Sequence, residues 1–186
     1  TGMTQILDKN SLYKVGLFYS SEDGYLSNPY YTVVRNNNGT TADVVAERRP
    51  DKRVGYGLNL KYIRSMTDAL SSQFKYKFYT DDWDISSHTI DIQNYYELGS
   101  KYTFGFGARY YKQSKAEFYN SSTTYFTNEK YASHDERLSD FSATTLRGSV
   151  DIKYNDKINY NVGVSLYDQS TDLSATMFSL GVKYKF

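Results

Sequence analysis

The chain has 186 residues, 39% of them hydrophobic, with a net charge of +1 and a mean hydropathy of −0.66. No stretch approaches the roughly 20 apolar residues of a membrane helix. The absence of cysteine excludes thiolate chemistry and disulfide staples, and the near-zero charge argues against nucleic acid or another polyanion as the main partner. One domain, 1–186, is expected, and Thr1 is expected to be a mature terminus or an internal starting point because no secretory leader opens the sequence.

Low hydropathy is compatible with a membrane barrel, whose strands need an apolar residue only at every second position. The 21 Tyr, 10 Phe and single Trp point the same way, since amphipathic rings favour the membrane interface. In chain order, eight runs alternate with period two, each near the length of a tilted membrane strand. The first, 12–20, sets Tyr13, Val15, Leu17 and Tyr19 against Lys14, Gly16 and Phe18. The second, 53–64, sets Val54, Tyr56, Leu58, Leu60 and Tyr62 against Gly55, Gly57, Asn59 and Lys61. The third, 70–79, opposes Phe74, Tyr76 and Phe78 to Gln73, Lys75 and Lys77. The fourth, 89–98, opposes Ile90, Ile92, Tyr96 and Leu98 to Asp91, Gln93, Tyr95 and Glu97.

The fifth run, 102–113, turns Phe104, Phe106, Ala108 and Tyr110 outward and Gly105, Gly107, Arg109 and Tyr111 inward. The sixth, 144–154, turns Leu146, Val150 and Ile152 outward and Arg147, Ser149, Asp151 and Lys153 inward. The seventh, 158–168, carries Ile158, Tyr160, Val162, Val164 and Leu166 outward; the eighth, from Ala175, carries Phe178, Leu180, Val182, Tyr184 and Phe186 outward. Slipping a strand by one residue would push its lysines into lipid at roughly 2–4 kcal/mol each near the midplane, so register is strongly specified.

Short links near 65–68, 99–101 and 155–157 read as periplasmic turns. The remaining links face outward, and two of them, 21–52 and 114–143, are long enough to act as a lid, plug or contact surface, with Asn36-Asn37-Asn38-Gly39-Thr40-Thr41 as a flexible tip. Outward aromatics form two belts, Tyr62, Tyr96, Tyr102, Tyr154, Tyr160, Tyr184 and Phe186 on the turn side and Tyr19, Tyr56, Phe78, Tyr110 and Phe178 on the other. The final Ser179-Leu180-Gly181-Val182-Lys183-Tyr184-Lys185-Phe186 resembles the last strand by which outer-membrane barrels are recognised by the barrel-assembly machinery. Ser179, Gly181, Tyr184 and Phe186 fill that pattern and imply the outer membrane of a Gram-negative bacterium.

Three segments carry a more specific resemblance: Asp23-Gly24-Tyr25-Leu26-Ser27-Asn28-Pro29-Tyr30, Phe78 to Thr89 around Asp81-Asp82-Trp83-Asp84, and Arg109 to Tyr119. With Glu47-Arg48-Arg49-Pro50 and Asp135-Glu136-Arg137-Leu138-Ser139, they resemble an uncharacterised bacterial family, a domain of unknown function expected to form outer-membrane barrels. Its members are longer, so the resemblance is to their C-terminal part. It implies an all-β, antiparallel, up-and-down transmembrane barrel of eight strands, or the C-terminal eight strands of a larger one. No reaction comes with it.

Inward cations, Lys14, Lys61, Lys75, Lys77, Arg109, Arg147, Lys153, Lys183 and Lys185, outnumber Asp91, Glu97 and Asp151. A wide lumen so lined would favour anions, whereas a narrow one would be filled by paired side chains. The loop candidates are Asp23, Asn28, Pro29, Asp82, Trp83 and His88. Their carboxylates lack the spacing of a calcium loop, so no metal and no cofactor is assigned. Asn28-Pro29 is expected to fix a turn. Arg48, Arg49, Lys52 and Arg53 suit lipopolysaccharide phosphates, and Tyr25, Tyr30, Tyr31, Tyr119 and Tyr125 could line a ligand surface.

The expected function is non-enzymatic, a porin-like or scaffold barrel in contact with outer-membrane lipid. The alternatives are a rim hydrolase with His88 as base and Asp81, Asp82 or Asp84 as partner, a weaker Ser87 or Ser133 with His134 arrangement, or a structural partner of another envelope protein.

Overall fold

The computed structural model describes residues 1–37, 41–121 and 129–185. The expected tip at Asn38-Gly39-Thr40, Tyr125 and the terminal Phe186 lie outside the described residues. The strands are β1 (Gly2–Asp8), β2 (Ser11–Asp23), β3 (Thr32–Asn37), β4 (Thr41–Ala46), β5 (Lys52–Ser65), β6 (Leu70–Asp81), β7 (Ser86–Leu98), β8 (Tyr102–Gln113), β9 (Phe141–Lys153), β10 (Ile158–Gln169) and β11 (Leu173–Tyr184). Nine of them form one antiparallel up-and-down sheet in the order β1-β2-β5-β6-β7-β8-β9-β10-β11, and β3 and β4 form a separate hairpin.

All eight alternating runs are strands, in the register their patterning requires. One outward row runs Val15↔Leu60, Leu60↔Tyr76, Tyr76↔Ile90 and Ile90↔Tyr110, and farther round the sheet the outward Leu166 pairs Leu146. The matching inward row runs Lys14↔Lys61, Lys61↔Lys75, Lys75↔Asp91 and Asp91↔Arg109. The count of eight is corrected to nine, because β1 pairs with β2 from Gly2↔Gly16 to Asp8↔Ser11. Adjacent Ile6 and Leu7 break the period in β1, and the register shifts between Ile6 and Asp8. Pairing to β2, which alternation cannot report, makes this segment a strand. The closed eight-stranded barrel is not what forms: β1 and β11 are sheet edges, unpaired with each other among the described residues.

The outward face is an apolar surface, with Leu17 58%, Phe106 59%, Phe178 81% and Leu180 84% exposed. A predominantly apolar face of this kind suits hydrocarbon and not water. On the inward face, glycines make room for neighbouring side chains. A Cβ on Gly57 would lie 2.1 Å from ring atoms of Phe18, and one on Gly107 would lie 2.1 Å from the Gln93 amide oxygen.

Apart from Ala143 of β9, the buried hydrophobic residues lie outside the nine-stranded sheet. Trp83, Ile85, Ala116 and Leu138 cluster with Leu26, Tyr79, Phe118 and Tyr119, while Val33 and Ala132 form a second small cluster. Apart from Tyr79 of β6, these residues come from the three links following β2, β6 and β8, so the long loops fold together as a cap on the loop rim instead of standing apart. Isolated bridges Arg48↔Ala132 and Tyr119↔Ser133 stitch the first long loop to the second and the second to itself.

Candidate functional site

Two features mark the inner face, a basic wall nearer the turn rim and the cap at the loop rim. The wall follows from the pleat. Because Lys14, Lys61 and Lys75 are directly opposed on three consecutive strands, their side chains share one face and rise from backbones about 5 Å apart. With Lys77, Asp91 and Arg109 they line a trough of about 510 Å³. None of Lys14, Lys61 and Lys75 makes an ion pair among the described residues. Asp91, opposite Lys75, is bonded to arginines: its Oδ2 accepts from Arg109 Nε at 2.7 Å and Arg147 Nη2 at 2.9 Å. Its Oδ1 and Arg147 Nε are buried without a hydrogen-bond partner. Lys77 lies over the Phe18 ring at 5.2 Å. The three remaining inward cations sit at the turn rim: Lys153 pairs Asp156 at 2.7 Å, Lys183 is opposite Asn159, and Lys185 lies just past β11.

The cap is built on Asp81, the last residue of β6. Its Oδ1 accepts from the backbone N–H of Trp83 at 3.0 Å and of Ile85 at 3.1 Å, so one carboxylate oxygen shapes the turn, with Asp84 at φ 66°. Its Oδ2 accepts from Tyr79 Oη and from both Nε and Nη2 of Arg53. The Arg53 guanidinium lies 4.6 Å from the Trp83 ring, Trp83 Nε1 donates to the Lys52 carbonyl at 2.9 Å, and Phe118 meets Trp83 edge-on at 5.1 Å. Asp82 Oδ1 accepts from Val54 N–H at 2.9 Å.

The two long loops meet through a buried polar cluster. Arg49 Nη2 donates to Asp135 Oδ2 at 2.6 Å, and its Nε lies 2.8 Å from Glu47 Oε1. Glu47 also accepts from Ser133 Oγ at 2.6 Å and from Asn28 N–H at 2.7 Å. Asp135 caps the 3₁₀ turn Glu136–Leu138 by accepting from Arg137 N–H, and the Arg137 side chain folds back onto the same carboxylate. Burial pushes the Asp135 carboxyl up, but the Arg137 side chain and backbone and the Arg49 side chain outweigh it and hold the group at about 2. The same partnership raises Arg137 above its ordinary value.

Gln113, the last residue of β8, donates to the Arg137 and Ser139 carbonyls at 3.0 and 2.6 Å, which fastens the cap to the loop rim of the sheet. Between them is a cavity of about 290 Å³ lined by Arg49, Arg53, Tyr79, Tyr111, Gln113 and Arg137 among others. The cap therefore leans over the inner mouth.

Several expectations change at this point. Arg49 and Arg53 are committed to Glu47, Asp135 and Asp81, leaving Arg48 and Lys52 as the exposed members of the basic group, with Lys52 3.1 Å from Asp23. His88 faces outward with Phe78 at 5.1 Å and Tyr76 Oη at 2.7 Å from its Nδ1, on the opposite side of the sheet from the inward Asp81. His88 and Asp81 are thus not brought together. His134 Nδ1 contacts the Asn120 carbonyl at 2.8 Å, while Ser133 Oγ is engaged with Glu47. Asn28 Oδ1 accepts from Tyr30 N–H at 3.1 Å, closing the expected turn at exposed Pro29. Tyr25 and Tyr30 point to solvent, but Tyr119 packs into the cap core, so these rings do not form one surface. Among the described residues no group of three or more His, Asp or Glu is arranged to hold a metal.

Nothing in the loop spacing announced that the two motifs Glu47-Arg48-Arg49-Pro50 and Asp135-Glu136-Arg137-Leu138-Ser139 touch. The available signal was compositional: a carboxylate two residues from an arginine in each.

An antiparallel up-and-down sheet with an apolar outer face, a polar inner face, short turns on one rim and folded loops on the other is the architecture of an outer-membrane β-barrel protein. No sequence match is found among curated proteins. Among solved structures, OmpTdeltaL8, a loop L8 deletion mutant of OmpT from the outer membrane of Vibrio cholerae, has a TM-score of 0.59 at 14% identity, covering 94% of this chain and 49% of that one. In-vitro folded OmpT gives 0.58 at 12% identity over 95% and 52%, and outer-membrane expressed OmpT gives 0.55 at 13% over 94% and 52%. The chain spans about half the length of these barrels. It belongs to the family described as Protein of unknown function (DUF3570), which matches residues 1–181. The outer membrane is its location.

Proposed function

We propose that this chain forms a wall of a porin-like outer-membrane barrel, the C-terminal part of one larger than its own nine strands, that favours passage of anionic solutes beneath a folded extracellular cap. The observation that carries the reading is the Lys14, Lys61, Lys75 row. Like charges directly opposed on neighbouring strands destabilise a sheet by roughly 0.2–1 kcal/mol per pair, and this row contains two such pairs, the carboxylate next in the row, Asp91, being bonded to Arg109 and Arg147. A row that costs stability yet faces the lumen suits a ligand of opposite sign, as charged rings do in other pores.

Passage without catalysis is the favoured reading, because His88 stacks outward among aromatic residues, away from the acidic loop groups. Outward rings at Tyr19, Tyr56, Tyr102, Tyr154 and Tyr160 would sit at the two lipid interfaces. Ser179, Gly181 and Tyr184 on β11 would serve recognition by the barrel-assembly machinery, and Arg48 is the exposed cation left for lipopolysaccharide phosphates.

The test is reversal potential in a planar bilayer under a salt gradient, with the natural gene product and its Lys61→Glu/Lys75→Glu variant. Anion-biased conductance that moves toward cations in the variant is the expected result. A folded, electrically silent protein, or a reversal potential indifferent to both substitutions, would refute anion passage and favour a scaffold role with an envelope partner.

A further inference from the structure

The two sheet edges constrain what can complete the barrel, an argument that rests on the barrel reading above. The turns after β1, β5, β7 and β9 lie on one rim, and the links after β2, β6, β8 and β10 lie on the other. β1 runs toward the turn rim into Lys9-Asn10, and β11 also runs toward the turn rim, ending at Tyr184. With nine antiparallel strands, the first and last are necessarily parallel. Direct closure of β11 on β1 would therefore make a parallel seam in an otherwise antiparallel sheet. Bacterial single-chain barrels have even strand numbers and avoid such a seam. A second copy does not help. Copies inserted in the same sense around one axis bring β11 of one beside β1 of the next, parallel again.

Leaving the edges open fails for a different reason. Hydrocarbon offers no partner to the N–H and C=O groups along the free edges of β1 and β11, and each unsatisfied group costs several kcal/mol there. The flanking strands are also the barest part of the sheet: every residue described in β1 and β11 is exposed.

We propose that the gap between β11 and β1 is filled by an odd number of further transmembrane strands of the same barrel, the outermost two running from the turn rim to the loop rim beside each edge. The occupant must run opposite to both edges, and only an odd number does so while alternating in between. Because the chain covers about half of the solved barrels it resembles, the odd numbers that fit are about seven or nine, giving an even-stranded barrel wide enough for a water-filled lumen.

The experiment uses the natural gene product in outer membranes. Amide exchange is read for the alternate β11 residues whose N–H groups point away from β10. Disulfide formation is read for Met3→Cys combined in turn with Leu180→Cys, Val182→Cys or Tyr184→Cys, with Val162→Cys/Leu180→Cys as the control pair already opposed across β10 and β11. The expected result is edge amides slowed at least about 100-fold, a control pair that crosslinks, and no β1–β11 crosslink. Free exchange at the edge amides would overturn the proposal, as would a β1–β11 disulfide within one molecule or between two. Failure of the control pair would mean that the sheet itself is absent, which defeats the barrel reading along with this one. Loss of anion selectivity with covered edges would defeat only the transport reading.

Discussion

Arg49→Ala tests whether the cap is a folded unit held by charge. The Arg49 side chain is 9% exposed and stands between Glu47 at 0% and Asp135 at 2%. Truncation removes the cation shared by two buried carboxylates. Asp135 keeps Arg137, whereas among the described residues Glu47 keeps the Ser133 hydroxyl and the Asn28 N–H. Breaking a buried pair from one side costs about 3–5 kcal/mol. A second line of reasoning gives the same order: the Asp135 carboxyl, held at about 2 against an ordinary 3.8, is stabilised in its charged form by roughly 2–3 kcal/mol, shared between Arg137 and Arg49. The assay is amide exchange at Arg48 and Ala132, which bond each other across the two loops at 3.1 and 2.8 Å. Their exchange should accelerate by roughly 150- to 5,000-fold, up to the limit at which the cap opens freely, while amides of β7 and β8 keep their protection. A change below about fivefold, or one that spreads equally through the sheet, would refute the idea of a locally stable, charge-clamped cap.

Three further outcomes are expected. Because the Asp135 carboxyl is depressed, its contribution to cap stability is fully present above about pH 4 and is lost as pH falls toward about 2; fluorescence of Trp83, the single tryptophan and part of the cap core, should shift to the red across that window and not above pH 5. Gly57→Ala should lower the unfolding midpoint by the equivalent of about 1–3 kcal/mol, since its Cβ would sit 2.1 Å from the Phe18 ring and 2.7 Å from the Phe78 carbonyl, and Phe18→Ala in the same chain should recover only the part due to the ring. His88→Phe should retain the ring contact with Phe78, lose the Tyr76 hydrogen bond and change stability by no more than about 1.5 kcal/mol in an unfolding titration; a larger loss, or the disappearance of a hydrolytic turnover, would contradict the outward aromatic role.

The sheet was legible because its two solvents are different. Wherever lipid faces one side and lumen the other, alternation is enforced residue by residue, and the eight runs, their faces and the inward placement of Lys14, Lys61 and Lys75 could be read directly, whereas their mutual opposition comes from the register. β1 was not legible because Ile6 and Leu7 are adjacent and its partner, β2, supplies the order. The cap was hidden for another reason: its stability is non-local. Arg49 and Asp135 are 86 residues apart in sequence, and a buried ion pair at that separation leaves no periodic trace. The arginines of the rim looked like lipid-facing cations from sequence, since charge alone does not reveal that Glu47, Asp81 and Asp135 take up Arg49 and Arg53.

The two sets of cations separate structure from function by the same electrostatic criterion. In the cap Arg49 has two carboxylates and Arg53 one within 2.6–2.8 Å, so their charge goes into holding loops together. On the wall, Asp91 is shared by Arg109 and Arg147, which leaves an excess of positive charge even before Lys14, Lys61 and Lys75 are counted. Were the wall merely packing, a second carboxylate opposite Lys61 would stabilise it by the cross-strand pairing that lysine against lysine forfeits. Its position is instead filled by Lys14 on one side and Lys75 on the other. If the proposed anion passage holds, the uncompensated row is therefore where substitution should change ion selectivity, while substitution in the cap should change how the loops over the mouth are held.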